Sequence, residues 1–409
     1  MNGSIDLTCS LNRMYIPPEK GQKLFLRLSM TPTGRTANLP LTVCLLIDRS
    51  GSMVGKKLRN AKEGALNLIT QLTSNDYCGV VTFESEVDIV VPGQYVTDKQ
   101  VFISKIQEID LGGTTELFRG LETAFEVLQG SLEPGYTTGR MVRRIILLSD
   151  GQPTDDRFES EYRNLARLMR EMGISITALG IGKDYNEDLL SALAEDSGGM
   201  WYHVTSPDKL PDIFASEVNS MKTVVLSGPE LVLTLSHGVE LADICKSSPD
   251  VHTISNIVRN DNEYRIPLMD MRAGESHTLT ARIAVPPRPE GEWRVAQVAL
   301  VGRDTVEKDV IVTCTSDESL WKETDPYSRT LFAVTETQIR MKQGLSGDKT
   351  AFKQAETQLK TIIRDPEATQ FRDIADRTVV LEEILDKTGK VISEEEKKKV
   401  KSDLTRVRR

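Results

Sequence analysis

Residues 41–53 read Leu41-Thr-Val-Cys-Leu-Leu-Ile-Asp48-Arg-Ser50-Gly-Ser52-Met53. The apolar part is of strand length and does not alternate, so both faces of the strand are buried, as in the middle of a parallel sheet covered by helices on each side. It stops abruptly at an acid and two hydroxyls. In an open parallel sheet, ligands sit beyond the carboxyl ends of the strands, where the strand order reverses. This stretch therefore aims Asp48, Ser50 and Ser52 into such a crevice. Taken alone, the triplet is a weak signal, because Asp and Ser also cap helices and fill turns for local reasons.

Outward from this strand, short apolar runs at 78–83, 87–91, 145–148, 174–179 and 201–204 alternate with amphipathic segments at 58–72, 98–109, 117–128, 161–172, 187–194 and 208–221. The segments supply the crossovers that parallel strands require, and the pattern predicts a doubly wound, mostly parallel α/β domain over residues 37–222. Before it, Ile5, Leu7, Cys9 and Leu11, then Leu24, Leu26, Leu28 and Met30, alternate at period two with a Pro17-Pro18 turn between them. Two strands cannot bury a core alone. After Gly228 and Pro229 the alternation returns, with Leu231, Leu233 and Leu235, with Leu279, Ala281, Ile283 and Val285, and with Ala296, Val298 and Leu300. We read residues 1–36 and 223–316 as one antiparallel β-sandwich into which the α/β domain is inserted.

From residue 317 to 409 the period becomes helical, and a small antiparallel bundle is expected. Its stripes are Phe352, Ala355, Leu359 and Ile362, then Phe371, Ile374, Thr378 and Leu381, then Val400, Leu404 and Val407; Ser393 with Glu396 forms a capping box.

Composition limits the function classes. The chain has 409 residues, 39% of them apolar and 27% charged, a globular balance. With 51 basic against 60 acidic residues its net charge is −9, which opposes binding to a phosphate backbone and argues against a nucleic-acid partner. No apolar run reaches the ~18–20 residues of a membrane helix, and the start has no secretory pattern, so no membrane association and a cytoplasmic location are expected. Cys9, Cys44, Cys78, Cys245 and Cys314 show no Cys-x-x-Cys pair, and their odd number opposes a fully paired disulfide framework.

Two further segments bear on the crevice. Gly112-Gly-Thr114-Thr115-Glu-Leu117 places hydroxyls in a glycine-rich loop before a helix, and Leu147-Leu-Ser149-Asp150-Gly151 places an acid at the end of another buried strand. First and fourth strands of a doubly wound sheet can be neighbours, which would bring all three loops together. A few hard oxygen donors of modest charge suit Mg²⁺.

Together these segments resemble the von Willebrand factor A domain and its metal-ion-dependent adhesion site. The resemblance covers about residues 37–222 and includes all five site positions in order. It implies that Ser50, Ser52 and Thr115 are direct ligands of one divalent cation, while Asp48 and Asp150 act largely through water or hydrogen bonds. Mg²⁺ is the expected ion, and the same oxygens also accept Mn²⁺ or Ca²⁺. Thr115 is preferred to Thr114 on family spacing, with Leu121 as the helical apolar residue six positions on; Thr114 stays open. The layout of flanking strands and helical tail is also similar to bacterial proteins built around this domain.

The resemblance further implies a nonenzymatic binding module, an adaptor or scaffold, in which an Asp or Glu of a protein partner fills the cation's vacant position. In the family, weak and strong binding alternate with a shift of the last helix, here 208–221. A different class is also open: an accessory subunit of an AAA+ ATPase of the MoxR or metal-chelatase type. Metal-assisted hydrolysis is the weakest reading, since no second metal cluster or placed general base accompanies the site. His203 is the one histidine in the α/β segment, and its neighbours Trp201 and Tyr202 point to packing at a strand end. Gly180-Ile-Gly182 lacks the third glycine of a dinucleotide fingerprint and reads as a turn. The basic residues after Lys397, including Arg406, Arg408 and Arg409, read as a solvated face.

Overall fold

The computed structural model describes residues 5–33, 39–130, 141–254, 257–302, 305–388 and 394–405. The expected cap Ser393, the stripe residue Val407, the basic residues Arg406, Arg408 and Arg409, and the boundary drawn between 36 and 37 lie outside the described residues. The chain divides into two units. One holds residues 39–229 and Leu268–Ala273; the other holds the remaining described residues.

The first described strands are β1 (Ile5–Leu11), β2 (Tyr15–Ile16) and β3 (Gln22–Pro32). They belong to the second unit. Then comes β4 (Leu41–Asp48), buried at every residue. Its continuous apolar run resolves into two faces: Leu41, Val43, Leu45 and Ile47 enter one core and Cys44 and Leu46 the other. The rest of this unit follows as α1 (Lys56–Gln71), β5 (Tyr77–Phe83), β6 (Val87–Tyr95), α2 (Lys99–Gln107), α3 (Leu117–Gln129), β7 (Val142–Ser149), α4 (Glu159–Glu171), β8 (Ile174–Ile181), α5 (Glu187–Ser197), β9 (Met200–Val204) and α6 (Leu210–Lys222).

The six strands form one sheet in the order β6-β5-β4-β7-β8-β9. Helices α1, α2 and α6 supply Leu58, Ala65, Phe102, Phe214 and Val218 to one core, and α3, α4 and α5 supply Leu121, Tyr162 and Leu193 to the other. Where α1 passes α6, a Cβ on Gly64 would lie 2.5 Å from the Phe214 ring, so only glycine admits this approach.

The chain leaves β4 toward β5 and reaches β7 on β4's other side, so strand order reverses between β4 and β7. These two run parallel, with Ile47 level with Leu148. Asp48 and Ser149 therefore end side by side at the switch point. One strand departs from the expected parallel, doubly buried kind. β6 pairs antiparallel with β5 at the sheet edge, and Val91 is its single buried residue. Residues 84–86 are too few for the crossover that a parallel partner needs. Pro92 inside it is tolerated because an edge strand has a free side.

Helix α6 is tied down by charge as well as packing. Its Glu217 accepts hydrogen bonds from Arg144 at 3.3 Å, Thr177 Oγ1 at 2.9 Å and the Tyr202 hydroxyl. Arg144 also donates to Asp270 at 2.6 Å and to Ser175 Oγ at 3.1 Å. After α6, β10 (Val224–Leu226) leads out of the unit.

The second unit continues with β11 (Glu230–Leu235), β12 (Glu240–Ser248), β13 (His252–Thr253), β14 (Val258–Asn260) and β15 (Glu263–Pro267). The chain then visits the first unit again as β16 (Met271–Arg272), which pairs with β10. It returns as β17 (His277–Val285), β18 (Gly291–Val301) and β19 (Val306–Cys314). Two sheets result, ordered β1-β3-β17-β12-β13 and β14-β15-β11-β18-β19-β2. In the first of them Leu28 of β3 pairs with Leu279 of β17.

Helices α7 (Pro326–Leu345), α8 (Lys349–Arg364), α9 (Pro366–Thr369), α10 (Arg372–Thr388) and α11 (Glu394–Thr405) complete the unit. Leu331, Val334, Met341, Ala355, Leu359, Ile362, Ile374, Leu381 and Leu404 share one core. The stripes read from the sequence leave out α7, the longest of these helices, although Leu331, Val334, Met341 and Leu345 recur along it at helical spacing. Its face toward neighbouring elements carries Thr330, Thr335 and Thr337, all buried, whose hydroxyls bond back to the carbonyls of Pro326, Leu331 and Ala333. Satisfied in this way, these threonines are buried beside the apolar stripe without leaving an unpaired hydroxyl.

Candidate metal centre

At the end of β4, Asp48 is 0% exposed. Its Oδ1 accepts the Ser50 backbone N–H at 2.8 Å, which turns the chain back over the strand end, and its Oδ2 accepts the Ser149 hydroxyl at 2.8 Å. A short turn, Gly51–Met53, follows, anchored by the buried Met53, before α1 begins. The Ser50 and Ser52 hydroxyls are 3.0 Å apart, and Ser52 Oγ donates to Asp150 Oδ1 at 2.6 Å. Asp48, Ser50, Ser52 and Asp150 thus form one connected chain of oxygens, with Ser52 open to solvent.

The glycine-rich loop is laced to this turn. Gly112 N–H donates to the Arg49 carbonyl at 2.7 Å, and Gly51 N–H to the Gly113 carbonyl at 3.0 Å. From beneath, Glu84 accepts the Gly113 N–H at 2.7 Å and also takes bonds from the Ser85 amide and hydroxyl. Arg49 reaches both Glu84, at 3.1 Å, and Asp88, at 2.8 Å. The glycine pair is required by closeness. A Cβ on Gly112 would lie 2.5 Å from Glu84 Cγ, and one on Gly113 would lie 2.6 Å from Ser85 Oγ.

Thr115 follows, buried, with its backbone exchanging bonds with Thr154: N–H to Thr154 Oγ1 at 3.0 Å, and its carbonyl from Thr154 N–H at 2.9 Å. Thr114 is exposed. A Cβ built on Gly151 would lie 3.6 Å from both Ser52 Oγ and Thr115 Oγ1. Those two hydroxyls therefore both approach the space above Gly151, and Thr115 is the loop threonine buried on that side.

Burial pushes the Asp48 carboxyl above its ordinary range; the neighbouring Asp150 charge adds to the push, and hydrogen bonds from Ser50 and Ser149 oppose it. Among the described residues no Lys, Arg or His forms an ion pair with Asp48. Asp150 has one: Lys57 Nζ donates to its Oδ2, and to the Ser52 carbonyl at 3.2 Å. Two fully buried carboxylates thus share a single protein cation, and buried charge is costly unless balanced. This donor set fits a small, hard divalent cation. Among the described residues no group of three or more His, Cys, Asp or Glu is arranged to hold a metal, so hydroxyls carry much of the donor set here.

The sequence singled out all five of these residues and overlooked Lys57, Glu84, Ser149 and Thr154. Lys57 left one signal. A Lys pair, Lys56 and Lys57, in the first turn of a helix opposes the helix dipole and calls for a local reason. His203 bonds the Tyr185 hydroxyl through Nδ1 at 2.8 Å. The Ser50 and Ser52 hydroxyls are engaged with each other and with Asp150.

Residues 42–216 match the sequence model of the von Willebrand factor type A domain. This segment is a von Willebrand factor A domain. Domains of this family are typically protein-interaction modules, and they commonly bind a divalent metal at the adhesion site. Uncharacterized protein sll0103 of Synechocystis is 24% identical over 303 residues, covering 72% of this chain and 70% of its own. Human inter-alpha-trypsin inhibitor heavy chain H4 is 28% identical over 207 residues, 47% of this chain but only 22% of that protein. Among solved structures, a von Willebrand factor type A protein from Catenulispora acidiphila superposes with a TM-score of 0.81 at 17% identity, covering 100% of this chain and 98% of that one. At that identity the likeness speaks to fold alone. Among the described residues no helix is long and apolar enough to cross a membrane.

Proposed function

We propose that the protein is a nonenzymatic, divalent-metal-dependent binding module, an adaptor or scaffold, that captures an acidic residue of a protein partner. Asp48, Ser50, Ser52, Thr115 and Asp150 would hold Mg²⁺, with Mn²⁺ and Ca²⁺ as ions the same oxygens accept. A bound cation supplies a Lewis-acidic centre that a partner's Asp or Glu can join as a further ligand. The observation that carries the reading is the burial of Asp48 without a cationic partner, at the point where three loops bring hydroxyls together.

The chain's own residues do the rest. Ser149 and the Ser50 amide fix both oxygens of Asp48. Glu84 and Arg49 hold the loop that carries Thr115, so the site keeps its form before anything binds. The open face at Ser52 gives a partner access. The cytoplasm is part of the proposal, supported by five cysteines that are all free thiols. Should the acidic residue belong to an AAA+ machine, the same site would make the chain its accessory subunit, which stimulation of the ATPase would reveal.

The test compares native protein with Asp48→Ala, whose folding is verified by circular dichroism. Mn²⁺ binding by calorimetry and retention of a captured partner should both be lost in the variant and on addition of EDTA. Mn²⁺ binding at equal affinity by both proteins contradicts the reading.

A further inference from the structure

We propose that Lys57 is a built-in counter-charge that makes binding of the cation and of the acidic partner depend on each other. This rests on the metal-dependent reading above and names a residue that tunes it. Lys57 is the second residue of α1, and its side chain is about one-quarter exposed, while the Asp150 carboxylate it meets is fully buried. Its Nζ takes Asp150 Oδ2 as Ser52 Oγ takes Oδ1, and the Ser52 carbonyl fixes it from the other side at 3.2 Å. The ammonium is therefore held within the cluster by two oxygens, Asp150 Oδ2 and the Ser52 carbonyl, on a helix end whose dipole adds further positive potential.

The charge balance gives this position its consequence. Asp48 and Asp150 carry two negative charges, and Lys57 neutralises one of them. A divalent cation then leaves the site with one positive charge in excess, and a single carboxylate from a partner removes it. Excess charge beside two fully buried carboxylates is unfavourable. The cation alone is accordingly held weakly, and cation and carboxylate raise each other's affinity by the same factor, as linkage requires. Without the Lys57 charge the cation alone balances the site. It would bind more tightly and gain less from the partner.

The experiment titrates Mn²⁺ into the full chain and follows free Mn²⁺ by its electron paramagnetic resonance. Native protein, Lys57→Met and the charge-preserving Lys57→Arg are compared, each with and without a short end-capped peptide whose one charge is an Asp, and with its uncharged Asn counterpart. Lys57→Gln replaces Lys57→Met if melting curves show the latter to be unfolded. Expected results are an increase of at least tenfold in Mn²⁺ affinity for Lys57→Met without peptide, near-native affinity for Lys57→Arg, and a stronger effect of the Asp peptide on native protein than on Lys57→Met. Equal or weaker Mn²⁺ binding by Lys57→Met overturns the role of Lys57 and leaves the metal reading standing. Absence of Mn²⁺ binding in every form overturns both.

Discussion

Asp48 and Glu84 are acids beside the same loops, yet their surroundings push them in opposite directions. Glu84 is held down to about 2, chiefly by the Ser85 hydroxyl, with the Gly113 and Ser85 amides and the Arg49 charge adding to it against a burial penalty. A carboxyl whose folded pKa lies below its usual 4.5 binds fewer protons folded than unfolded. The stability it contributes is therefore complete above about pH 4.5 and is lost as pH falls toward 2. Urea titrations across that range should show the loss in native protein and a flatter profile in Glu84→Gln. Asp48 has the opposite sign. Its folded pKa is raised, so its ionisation costs stability as pH climbs past the usual 3.8. Asp48→Asn should melt higher than native protein at pH 7 in EDTA, by about 2–4 °C for each ~1 kcal/mol gained, while losing Mn²⁺ binding. A lower melting temperature in EDTA would show that Asp48 serves the fold and not a ligand.

Among the elements, α6 is fixed by Glu217 together with its apolar stripe of Leu210, Phe214, Val218 and Met221. A slide along its axis, the movement the family resemblance led us to expect, would draw this carboxylate away from Arg144, Thr177 and Tyr202 against the buried face of the sheet. Removing one partner of a buried charge network typically costs about 3–5 kcal/mol. Glu217→Ala should lower unfolding free energy by about that much and speed amide exchange along α6, both measurable without any ligand. Elements were legible in the sequence to different degrees. The run of β4 declared a central strand because both of its faces are covered, and α1 and α3 declared themselves by period. β6 was misread as a buried parallel strand, since its valines and isoleucine are strand formers whichever way the strand runs; the three residues before it decide the direction. α7 carries its own stripe, Leu331, Val334 and Met341, among buried threonines that blur it.

On the scale of the whole molecule, the sheet holding β3 depends on contacts that span the A domain in sequence. Leu24, Leu26, Leu28 and Met30 are buried, and β3 lies between β1 and β17. Leu28→Ala should cost about 2–5 kcal/mol of stability in urea unfolding, as expected for an emptied core position, although its ladder partner Leu279 lies far along the chain. Protection of the β3 amides that pair with β17 in pulse-labelled refolding should also lag behind that of β4, because that pairing must first close a longer loop than either pairing of β4.

The sequence by itself determined what each segment prefers: a strand buried on both faces, helices for its crossovers, and an acid with hydroxyls where that strand ends. These are local properties, written in hydrophobic period and side-chain chemistry. Tertiary structure alone decided which segments meet. It placed the Thr115 and Ser52 hydroxyls beside Gly151 and left Thr114 outside, set Glu84 under the glycine loop, brought Lys57 onto Asp150, and laid β3 beside β17. Such meetings depend on how faces pack once the chain has folded, and no local pattern records them.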